Sequence, residues 1–241
     1  MSSQNTKIND NNASIILSTY NEAPVIEDTL KKIFETIKGV EIVLVDDNST
    51  DGTLEKVKNF KEFNIKIFSR KERGLASAFL LGLINANGNK IGWIDSNMGD
   101  LIKFFPSMIK DLEDNDIILL SRYVENGGDK RSNLRIISSK LINFFCRLVL
   151  SNKIKDYTSS IFVMNRSCLK SAVPIGYGHG EFFIEFLYKV NKKGFKIKEI
   201  PYIQKKDEDE QNSKSSPNLV RYFYLGFLYV LRVFTSLIRR D

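Results

Sequence analysis

The most constraining feature of this sequence is a regular alternation between short apolar runs and amphipathic stretches, extending from Ala13 to Pro201. The apolar runs, rich in β-branched residues, occupy residues 13–18, 41–46, 65–69, 90–94, 116–121, 160–165 and 195–201. The amphipathic stretches occupy residues 23–38, 51–60, 74–87, 103–115, 132–150 and 180–193. Nearly continuous apolar runs predict strands that are buried on both faces of a mostly parallel sheet. The sequence therefore predicts an α/β fold in which helices flank a central sheet.

Both ends of the chain depart from this alternation. Residues 1–12 are polar and lack the apolar core of a signal peptide, so they are predicted to form a disordered leader. Residues 13–204 hold the alternating pattern and form the predicted α/β domain. Residues 205–218 are charged and without period, which predicts a mobile loop. Residues 219–241 are predicted to form a C-terminal helix.

The predicted C-terminal helix combines a broad apolar surface with a narrow basic stripe. Arg232 and Arg239 follow Arg221 by 11 and 18 positions, which at about 100° per residue places the three within roughly 20° of one another. Arg232 interrupts the apolar run, whereas a membrane span needs uninterrupted length. The pattern favours a helix lying in a membrane interface. A terminal helix packed on the core or in an oligomer interface is the alternative.

The net charge of the chain indicates the kind of partner it binds, and its cysteines indicate the compartment in which it works. A formal net charge of +7 and a pI of about 9.2 favour an anionic partner, such as a nucleotide, a lipid phosphate or an anionic membrane. The basic residues do not form a recognisable nucleic-acid-binding module, so nucleic acid is not an expected partner. Cys146 and Cys168 lack metal-ligand spacing and are predicted to be buried thiols in a reducing, cytoplasmic compartment.

Short polar side chains follow the first, second and fourth predicted strands. They are Asp46, Asp47, Asp95, Asn97 and Asp100. Because the carboxyl ends of parallel strands form the ligand-binding edge of an open α/β sheet, these side chains are predicted to line one crevice. Carboxylates there can accept hydrogen bonds from a base or ribose, or hold a hard divalent cation. A cation bridging a diphosphate would neutralise charge on a nucleotide leaving group.

Two common nucleotide-binding motifs do not occur in the sequence. The first strand-to-helix turn carries no G-x-G-x-x-G, and no G-x-x-x-x-G-K-[ST] is present. Any one of these aspartates, taken alone, could instead cap a helix or form a turn rather than bind a ligand. Asp51 and Gly52 are predicted to form only a turn.

Several motifs, taken in order along the chain, resemble those of family-2 glycosyltransferases. They are TYNE (19–22), VDDNSTDGT (45–53), RGLASA (73–78), SRYVENGG (121–128), DYTSSIFVMNR (156–166) and GFKIKEIPY (194–202). The SRYV…GG and D-x-T-S-x-x-F blocks are similar to those of polyprenyl- and dolichyl-phosphate sugar synthases, including the dolichyl-phosphate mannose synthases. The resemblance covers about residues 13–215 and implies a GT-A catalytic domain over residues 13–204.

The resemblance also implies which positions bind the sugar donor. These donor-site positions are Ser18, Tyr20, Glu22, Asp47, Asp95, Asn97 and Lys214. Asp47 would contact the base, while Asp95 and Asn97 would hold the diphosphate and a divalent cation, Mg²⁺ or Mn²⁺. Lys214, with Ser213, would belong to a loop that closes over the phosphates.

For the acceptor, the resemblance implies a phosphate clamp made by Arg122, Arg135 and Ser139, which act with Asp95 as the catalytic set. Guanidinium groups suit this task because their planar forks bind phosphate through two hydrogen bonds. The R-x-x-x-S spacing places Arg135 and Ser139 on one face of a helix.

The sequence departs from the family pattern beside the predicted metal site. Asn97 occupies the position of the second acid of a D-x-D motif, and Gly99 stands where the family often has Gln. A neutral amide attracts a divalent cation less strongly than a carboxylate does. Asp100 could compensate for the missing charge.

The predicted reaction is inverting transfer of a hexose, mannose or glucose, from a GDP- or UDP-linked sugar to a polyprenyl phosphate. It would occur at the cytoplasmic face of a membrane, with peripheral attachment or a membrane-protein partner. One alternative is transfer to a saccharide hydroxyl, which would need Glu181 or Glu185 as a base. The other alternative is a degenerate, non-catalytic subunit that binds nucleotide sugars, for which Asn97 and Gly99 are the evidence.

Overall fold

The computed structural model describes residues 7–206 and 219–239. Its strands are β1 Ile8–Asn9, β2 Ala13–Thr19, β3 Ile37–Lys38, β4 Glu41–Asp46, β5 Ile65–Ser69, β6 Lys90–Trp93, β7 Ile117–Ser121, β8 Gly128–Asp129, β9 Phe162–Asn165, β10 Ile197–Pro201 and β11 Ile203–Gln204. A seven-stranded sheet has the order β10-β7-β9-β6-β2-β4-β5. Strand β9 runs antiparallel between β6 and β7, and the other pairs in this sheet are parallel.

The helices flank this sheet. They are α1 Ile26–Thr36, α2 Thr53–Val57, α3 Leu75–Asn85, α4 Phe105–Asp111, α5 Asn133–Val149, α6 Phe182–Lys192 and α7 Leu219–Ile238. A 3₁₀ segment, Ser96–Phe104, leads into α4. Each predicted apolar run contains a strand of the large sheet, and each amphipathic stretch contains a helix. The predicted α/β fold is confirmed.

Two apolar layers cover the two faces of the sheet, and β2 contributes side chains to both. Ile15 and Leu17 point into a layer with Leu30 of α1, whereas Ile16 points into the opposite layer with Phe79 of α3. All five side chains are almost fully buried. Because consecutive strand residues face opposite sides, an uninterrupted apolar run is what a doubly covered strand requires.

The predicted disordered leader is wrong for its described part. Ile8 and Asn9 form β1, which pairs in parallel with β3 at Ile37 and Lys38. The Asp10 carboxylate also lies 2.8 Å from the Lys90 ammonium. These contacts hold residues 7–12 against the domain, and residues 1–6 lie outside the described range.

The predicted mobile loop is described only at its first two residues, Lys205 and Lys206, and residues 207–218 lie outside the described range. Lys205 forms an ion pair with Asp100. Just before this segment, β11 pairs in parallel with β8, a contact that the sequence analysis missed because each strand has only two residues.

Helix α7 packs on the domain through its basic stripe. Arg232 Nη1 donates to Glu185 Oε2 of α6 at 3.1 Å, and Arg239 Nη1 lies 3.4 Å from Glu185 Oε1. Val233 is fully buried, and the Phe234 ring contacts Phe145 of α5. The basic face of α7 therefore packs on the domain, as the alternative interpretation predicts. Much of its apolar face is exposed.

Candidate active site

The carboxyl ends of β2, β4 and β6 lie at one edge of the sheet. Thr19 pairs with Asp46, so the first two strands end level with each other. Trp93 pairs with Ile16, and Asp95 follows two residues later, just beyond the end of β6. The loops after these strands therefore lie at one edge of the sheet, the edge at which open α/β sheets bind their ligands.

Asp46 is a structural anchor for this edge. Its buried carboxylate accepts hydrogen bonds from Thr19 Oγ1 at 2.9 Å and from the backbone N–H of Ser49 at 2.9 Å. Asp51 plays a similar part: it accepts from the backbone N–H groups of Ala23 and Thr53, which ties the loop after β2 to the start of α2. The predicted turn role of Asp51 is confirmed.

Asp47, the predicted base-contacting residue, lies at the same edge but already has a partner. Arg70 Nε donates to Asp47 Oδ1 at 2.6 Å, and the backbone N–H of Gly74 donates to Asp47 Oδ2 at 2.9 Å. Arg73, in the same loop, places its guanidinium 3.6 Å from the centre of the Tyr20 ring. Asp47 thus positions the 70–74 loop, which forms one wall of the crevice beside Tyr20.

Two acidic side chains at this edge, Glu22 and Asp95, influence each other electrostatically. Burial, and to a lesser extent the negative charge of Glu22, raise the pKa of Asp95 to about 6. A weak hydrogen bond from Ser160 Oγ, at 3.5 Å, opposes that rise. Ser18, in β2, is half-buried at the same edge. The pair of acids is an energetically costly arrangement that a bound cation would relieve.

Asn97 and Asp100 lie on the 3₁₀ segment that follows Asp95. Asn97 is exposed at the start of the 3₁₀ segment. Asp100 pairs with Lys32 of α1 at 2.6 Å and with Lys205, which lower its pKa to about 2. Asp100 therefore joins the 3₁₀ segment to α1 and β11, and its charge is balanced by lysines rather than offered to the crevice.

Gly99 has a packing explanation. A Cβ at this position would lie 2.7 Å from Thr29 Oγ1 and 3.2 Å from Thr29 Cα in α1. The Thr29 hydroxyl donates to the Ser96 carbonyl at 2.6 Å and so fixes the 3₁₀ segment. Close contact with α1 excludes a larger side chain here, so Gly99 does not count as evidence for a degenerate site.

The donor atoms fit a divalent cation only in part. Carboxylate oxygens are the ligands that Mg²⁺ and Mn²⁺ prefer, and Glu22 and Asp95 supply them. Within residues 7–206 and 219–239, however, there is no group of three acidic, histidine or cysteine side chains close enough to hold a metal ion. A cation here would need further oxygens, such as those of a diphosphate.

Arg122, predicted to clamp an acceptor phosphate, is buried in an ion pair. Its Nε and Nη2 donate to the two oxygens of Asp156 at 2.8 and 2.7 Å, and Nη2 also donates to Thr158 Oγ1 at 2.7 Å. Its Nη1 lies 3.8 Å from Asp129. The guanidinium fork is therefore used within the protein. Arg122 can orient the site, but it does not present a fork to a ligand.

Ser139 reaches the same network from α5. Its hydroxyl lies 3.3 Å from Thr158 Oγ1, the atom that also accepts from Arg122. Arg135, one turn earlier on α5, is half-buried. The structure thus joins Ser139 and Arg122 through Thr158. Lys214, predicted to close over the phosphates, lies outside the described residues.

The two glutamates considered as a catalytic base are both engaged. Glu185 is 2% exposed and is surrounded by cations from Arg232, Arg239 and Lys189. Glu181, also buried, accepts a hydrogen bond from the backbone N–H of His179 at 2.8 Å. These contacts commit the Glu185 carboxylate to the packing of α6 against α7, which disfavours it as a catalytic base.

Comparison with known proteins gives the family. A profile described as Glycosyl transferase family 2 matches residues 14–172. The chain is a family 2 glycosyltransferase. It is 30% identical to a dolichol-phosphate mannosyltransferase of Pyrococcus furiosus, over 88% of this chain and 62% of that protein. It is 28% identical to the dolichol-phosphate mannosyltransferase of Saccharomyces cerevisiae, over 76% of this chain and 67% of that protein.

Solved structures agree with the fold. Glucosyl-3-phosphoglycerate synthase from Mycobacterium tuberculosis, in complex with uridine diphosphate, superposes with a TM-score of 0.71 at 16% identity. The match covers 95% of this chain and 81% of that chain. Another structure of that enzyme, holding Mn²⁺, uridine diphosphate and glucosyl-3-phosphoglycerate, gives a TM-score of 0.69 at 17% identity, over 95% of this chain and 81% of that chain. The predicted GT-A architecture of this glycosyltransferase is thereby confirmed.

Sequence reasoning missed the partners that occupy the predicted site residues. Asp156 was read only as part of a motif, and Arg70 was not considered, although the two form ion pairs with Arg122 and Asp47. Asp129 and Arg131, joined at 2.6 Å beside Arg122, were also missed. The sequence carries no local signal for these ion pairs, because each joins residues that are far apart in the chain and that only the fold brings together.

Asp95→Asn gives a test of the acid pair in the metal-free protein. The pKa of Asp95 in the folded protein, about 6, lies above the ordinary value of 3.8. The ionised carboxylate therefore lowers the free energy of unfolding above pH 6. This effect is absent below about pH 4, where Asp95 is protonated in both states. Asp95→Asn should therefore raise the free energy of unfolding, by about 1–2 kcal/mol at pH 7.5. The gain should shrink as the pH falls through 6. Urea unfolding at several pH values measures it.

Asp100→Asn is the matched control, because Lys32 and Lys205 lower the pKa of Asp100. Its substitution should destabilise the protein slightly at pH 7.5, the opposite sign. If Asp95→Asn is as destabilising as Asp100→Asn at pH 7.5, the energetic cost assigned to the buried, ionised Asp95 is wrong.

Proposed function

We propose that this chain transfers a hexose from a nucleoside-diphosphate sugar to a polyprenyl phosphate, with inversion at the anomeric carbon. The observation that carries the proposal is the acid pair of Glu22 and Asp95 at the carboxyl edge of a GT-A sheet. The named activity of the dolichol-phosphate mannosyltransferase relatives supports a polyprenyl phosphate acceptor. Mannose and glucose are the proposed sugars, and GDP or UDP the proposed nucleotide.

On the donor side, the proposed site lies between the loop of Tyr20 and the ends of β4 and β6. Asp47 and Arg70 would shape the wall that faces the base, and Ser18 would line its floor. Asp95, Glu22 and the amide of Asn97 would hold a divalent cation, Mg²⁺ or Mn²⁺, through oxygen ligands. When bound, such a cation neutralises charge on the diphosphate leaving group. Lys214 is proposed to approach the same phosphates.

On the acceptor side, no catalytic base is needed, because the oxygen of a phosphate is already anionic at neutral pH. That oxygen would form a bond to the anomeric carbon while the bond from this carbon to the diphosphate breaks, releasing the nucleoside diphosphate. The protein's task is to position the phosphate and balance its charge. Arg135 and Ser139, on one face of α5, are the proposed phosphate contacts. Arg122 would hold Thr158 and Ser139 in place.

Two neighbouring helices expose apolar side chains that could contact the lipid part of the acceptor. Helices α5 and α7 lie side by side, since Tyr222 contacts Leu134 and Phe234 packs on Phe145. On α5 the exposed apolar side chains are Leu134, Ile137, Leu141, Phe144 and Leu148. On α7 they are Val220, Phe223, Tyr224, Phe227, Val230, Leu231, Phe234, Leu237 and Ile238.

We propose that these two stripes, the α5–α7 apolar surface, enter the interface of a membrane at its cytoplasmic face. Residues Val220–Ile238 are long and apolar enough to cross a membrane. The ion pair from Arg232 to the buried Glu185 instead fixes α7 along the domain, which favours a helix lying in the interface. A membrane-protein partner on the same surface is the competing occupant.

A transfer assay tests the proposed reaction. Purified protein in detergent is incubated with radiolabelled GDP-mannose, UDP-glucose and related donors, with polyprenyl phosphate and with saccharide acceptors. Labelled polyprenyl phosphate is expected, together with loss of activity in a chelator and recovery on adding Mn²⁺ or Mg²⁺. Glu181→Gln, which keeps an oxygen to accept from the His179 N–H, tests the need for a base and should remain active. Label only in saccharide, or no transfer with any donor, would contradict the proposal.

A vesicle-binding assay tests the membrane surface. Phe144 of α5 is 63% exposed and Ile84 of α3 is 71% exposed, so each can be changed to Asp at little cost in folding. Phe144→Asp should weaken binding to anionic phospholipid vesicles about 10-fold or more, because it removes the burial of an aromatic side chain. The control, Ile84→Asp, should bind like the unchanged protein. Equal binding by both variants, or a stable dimer with no vesicle binding, would contradict the membrane assignment.

A further inference from the structure

The Thr158 hydroxyl is the most heavily hydrogen-bonded group on the acceptor side. Its Oγ1 accepts from Arg122 Nη2 at 2.7 Å and from Asn143 Nδ2 at 2.8 Å. It donates its own hydrogen to Asp156 Oδ1 at 3.2 Å. A hydroxyl group has two lone pairs and one hydrogen, so these three bonds use its full capacity.

Both groups that donate to Thr158 are fully used as well. Arg122 Nη2 carries two hydrogens, and the second goes to Asp156 Oδ1 at 2.7 Å. Asn143 Nδ2 also carries two, and the second goes to the backbone carbonyl of Ser139 at 2.8 Å. Asn143 is buried, so water does not compete for these hydrogens. The bonds from Asn143 therefore hold α5 against Thr158 and fix where Ser139 lies.

The Ser139 hydroxyl lies beside Thr158, but its hydrogen has no acceptor there. The two hydroxyl oxygens are 3.3 Å apart. Because both lone pairs of Thr158 Oγ1 are occupied, Ser139 can accept from Thr158 but cannot donate to it. Tyr123 is the other hydroxyl nearby: burial raises its pKa, and Arg122 and Ser139 oppose the rise. Its hydroxyl nevertheless has no hydrogen-bond partner among the described residues. The Ser139 hydrogen is thus left for a ligand.

The segment that carries Thr158 also reaches the donor side. Two residues later, Ser160 Oγ lies 3.5 Å from Asp95 Oδ2. The Cα atoms of Thr158 and Ser160 are at most about 7 Å apart, since two residues of chain span no more. The acceptor-side hydroxyls and the donor-side acid are therefore joined through one segment of three residues.

We propose that Thr158 is a positioning residue, which holds the Ser139 hydroxyl in place and leaves its hydrogen to bind the phosphate of the acceptor. This inference rests on the proposed function and extends it to a residue that need not touch the substrate. Without the Thr158 oxygen, Arg122 and Asn143 would each lose an acceptor. The bonds that fix Ser139 beside the 156–160 segment would then be weakened.

Thr158→Val tests this role, because it replaces the hydroxyl by a methyl group of similar size. It should lower kcat/KM for a short-chain polyprenyl phosphate about 10-fold and weaken the binding of that lipid phosphate in calorimetry. The Kd for the nucleotide sugar should stay close to that of the unchanged protein. Thr158 is half-buried, so water can reach the two donors and the variant should fold. Thr158→Ala replaces it if Thr158→Val lowers the Tm.

Thr158→Ser is the matched rescue, because it keeps the hydroxyl and loses only the methyl group. It should restore most of the activity and of the lipid-phosphate binding. A role in packing alone would instead be lost with the methyl group, so Thr158→Ser would then be as impaired as Thr158→Val.

Ser139→Ala supplies the second arm of a double-mutant cycle. It should lower kcat/KM at least as much as Thr158→Val, and the combined variant should lose little more, because Thr158 acts through Ser139. Its Tm should stay close to that of the unchanged protein, since the Ser139 hydrogen makes no bond within the protein. The control is Ser138→Ala, which removes a hydroxyl about 100° around the same helix and should leave the activity unchanged.

The outcomes separate this inference from the proposed function. If the unchanged protein transfers sugar to polyprenyl phosphate and Thr158→Val matches it in kcat/KM and lipid-phosphate binding, the role of Thr158 is wrong while the reaction stands. Additive losses from Thr158→Val and Ser139→Ala, or a lowered Tm of Ser139→Ala, would also overturn this role. If transfer goes to a saccharide hydroxyl instead, the proposed reaction fails, and the phosphate contact fails with it.

Discussion

Asp95 is an acid whose ionised form is costly, because it is buried where β6 leaves the sheet and because Glu22, after β2, adds a second negative charge to the same edge. The surrounding loops cannot relax this arrangement easily. Asp46 and Asp51 bind the backbone of the neighbouring turns, and the Thr29 hydroxyl holds the 3₁₀ segment that follows Asp95. A folded domain that maintains such a repulsion is suited to bind a positive charge there, which is the basis of the donor site in our account.

The other charged groups near the crevice divide into those that fix the scaffold and those that can meet a ligand. Asp47 with Arg70, and Arg122 with Asp156, form close ion pairs whose partners come from distant parts of the chain. Such pairs orient the walls, and losing one partner would leave a poorly solvated charge. Arg135 and Ser139 are the proposed contacts for an anionic acceptor. Both belong to α5, which together with α7 also carries the exposed apolar stripes.

The fold could be predicted from the sequence because strands and helices leave periodic patterns of apolar residues over short segments. Uninterrupted apolar runs such as Glu41–Asp46 coincide with buried strands, and the strand-end acids lie at one edge. The site was less predictable. Which partner Arg122 takes depends on the loop that brings Asp156 to it, 34 positions later in the chain. The reason for a glycine at position 99 lies in its close contact with Thr29 of α1, and the docking of α7 depends on the ion pair between Arg232 and Glu185. These are contacts between distant segments, which one sequence does not encode as a pattern.

The most direct test of the central claim is proton release when a nucleotide sugar binds together with Mn²⁺ at pH 6. The diphosphate of a nucleotide sugar is fully ionised there, so a released proton would come from the protein. Calorimetric titrations in two buffers of different ionisation enthalpy measure it. With a native pKa of about 6, Asp95 should release about half a proton per site, and Asp95→Asn should release none. Binding of donor and Mn²⁺ without proton release, or equal release by Asp95→Asn, would contradict the assignment of Asp95 to the cation site.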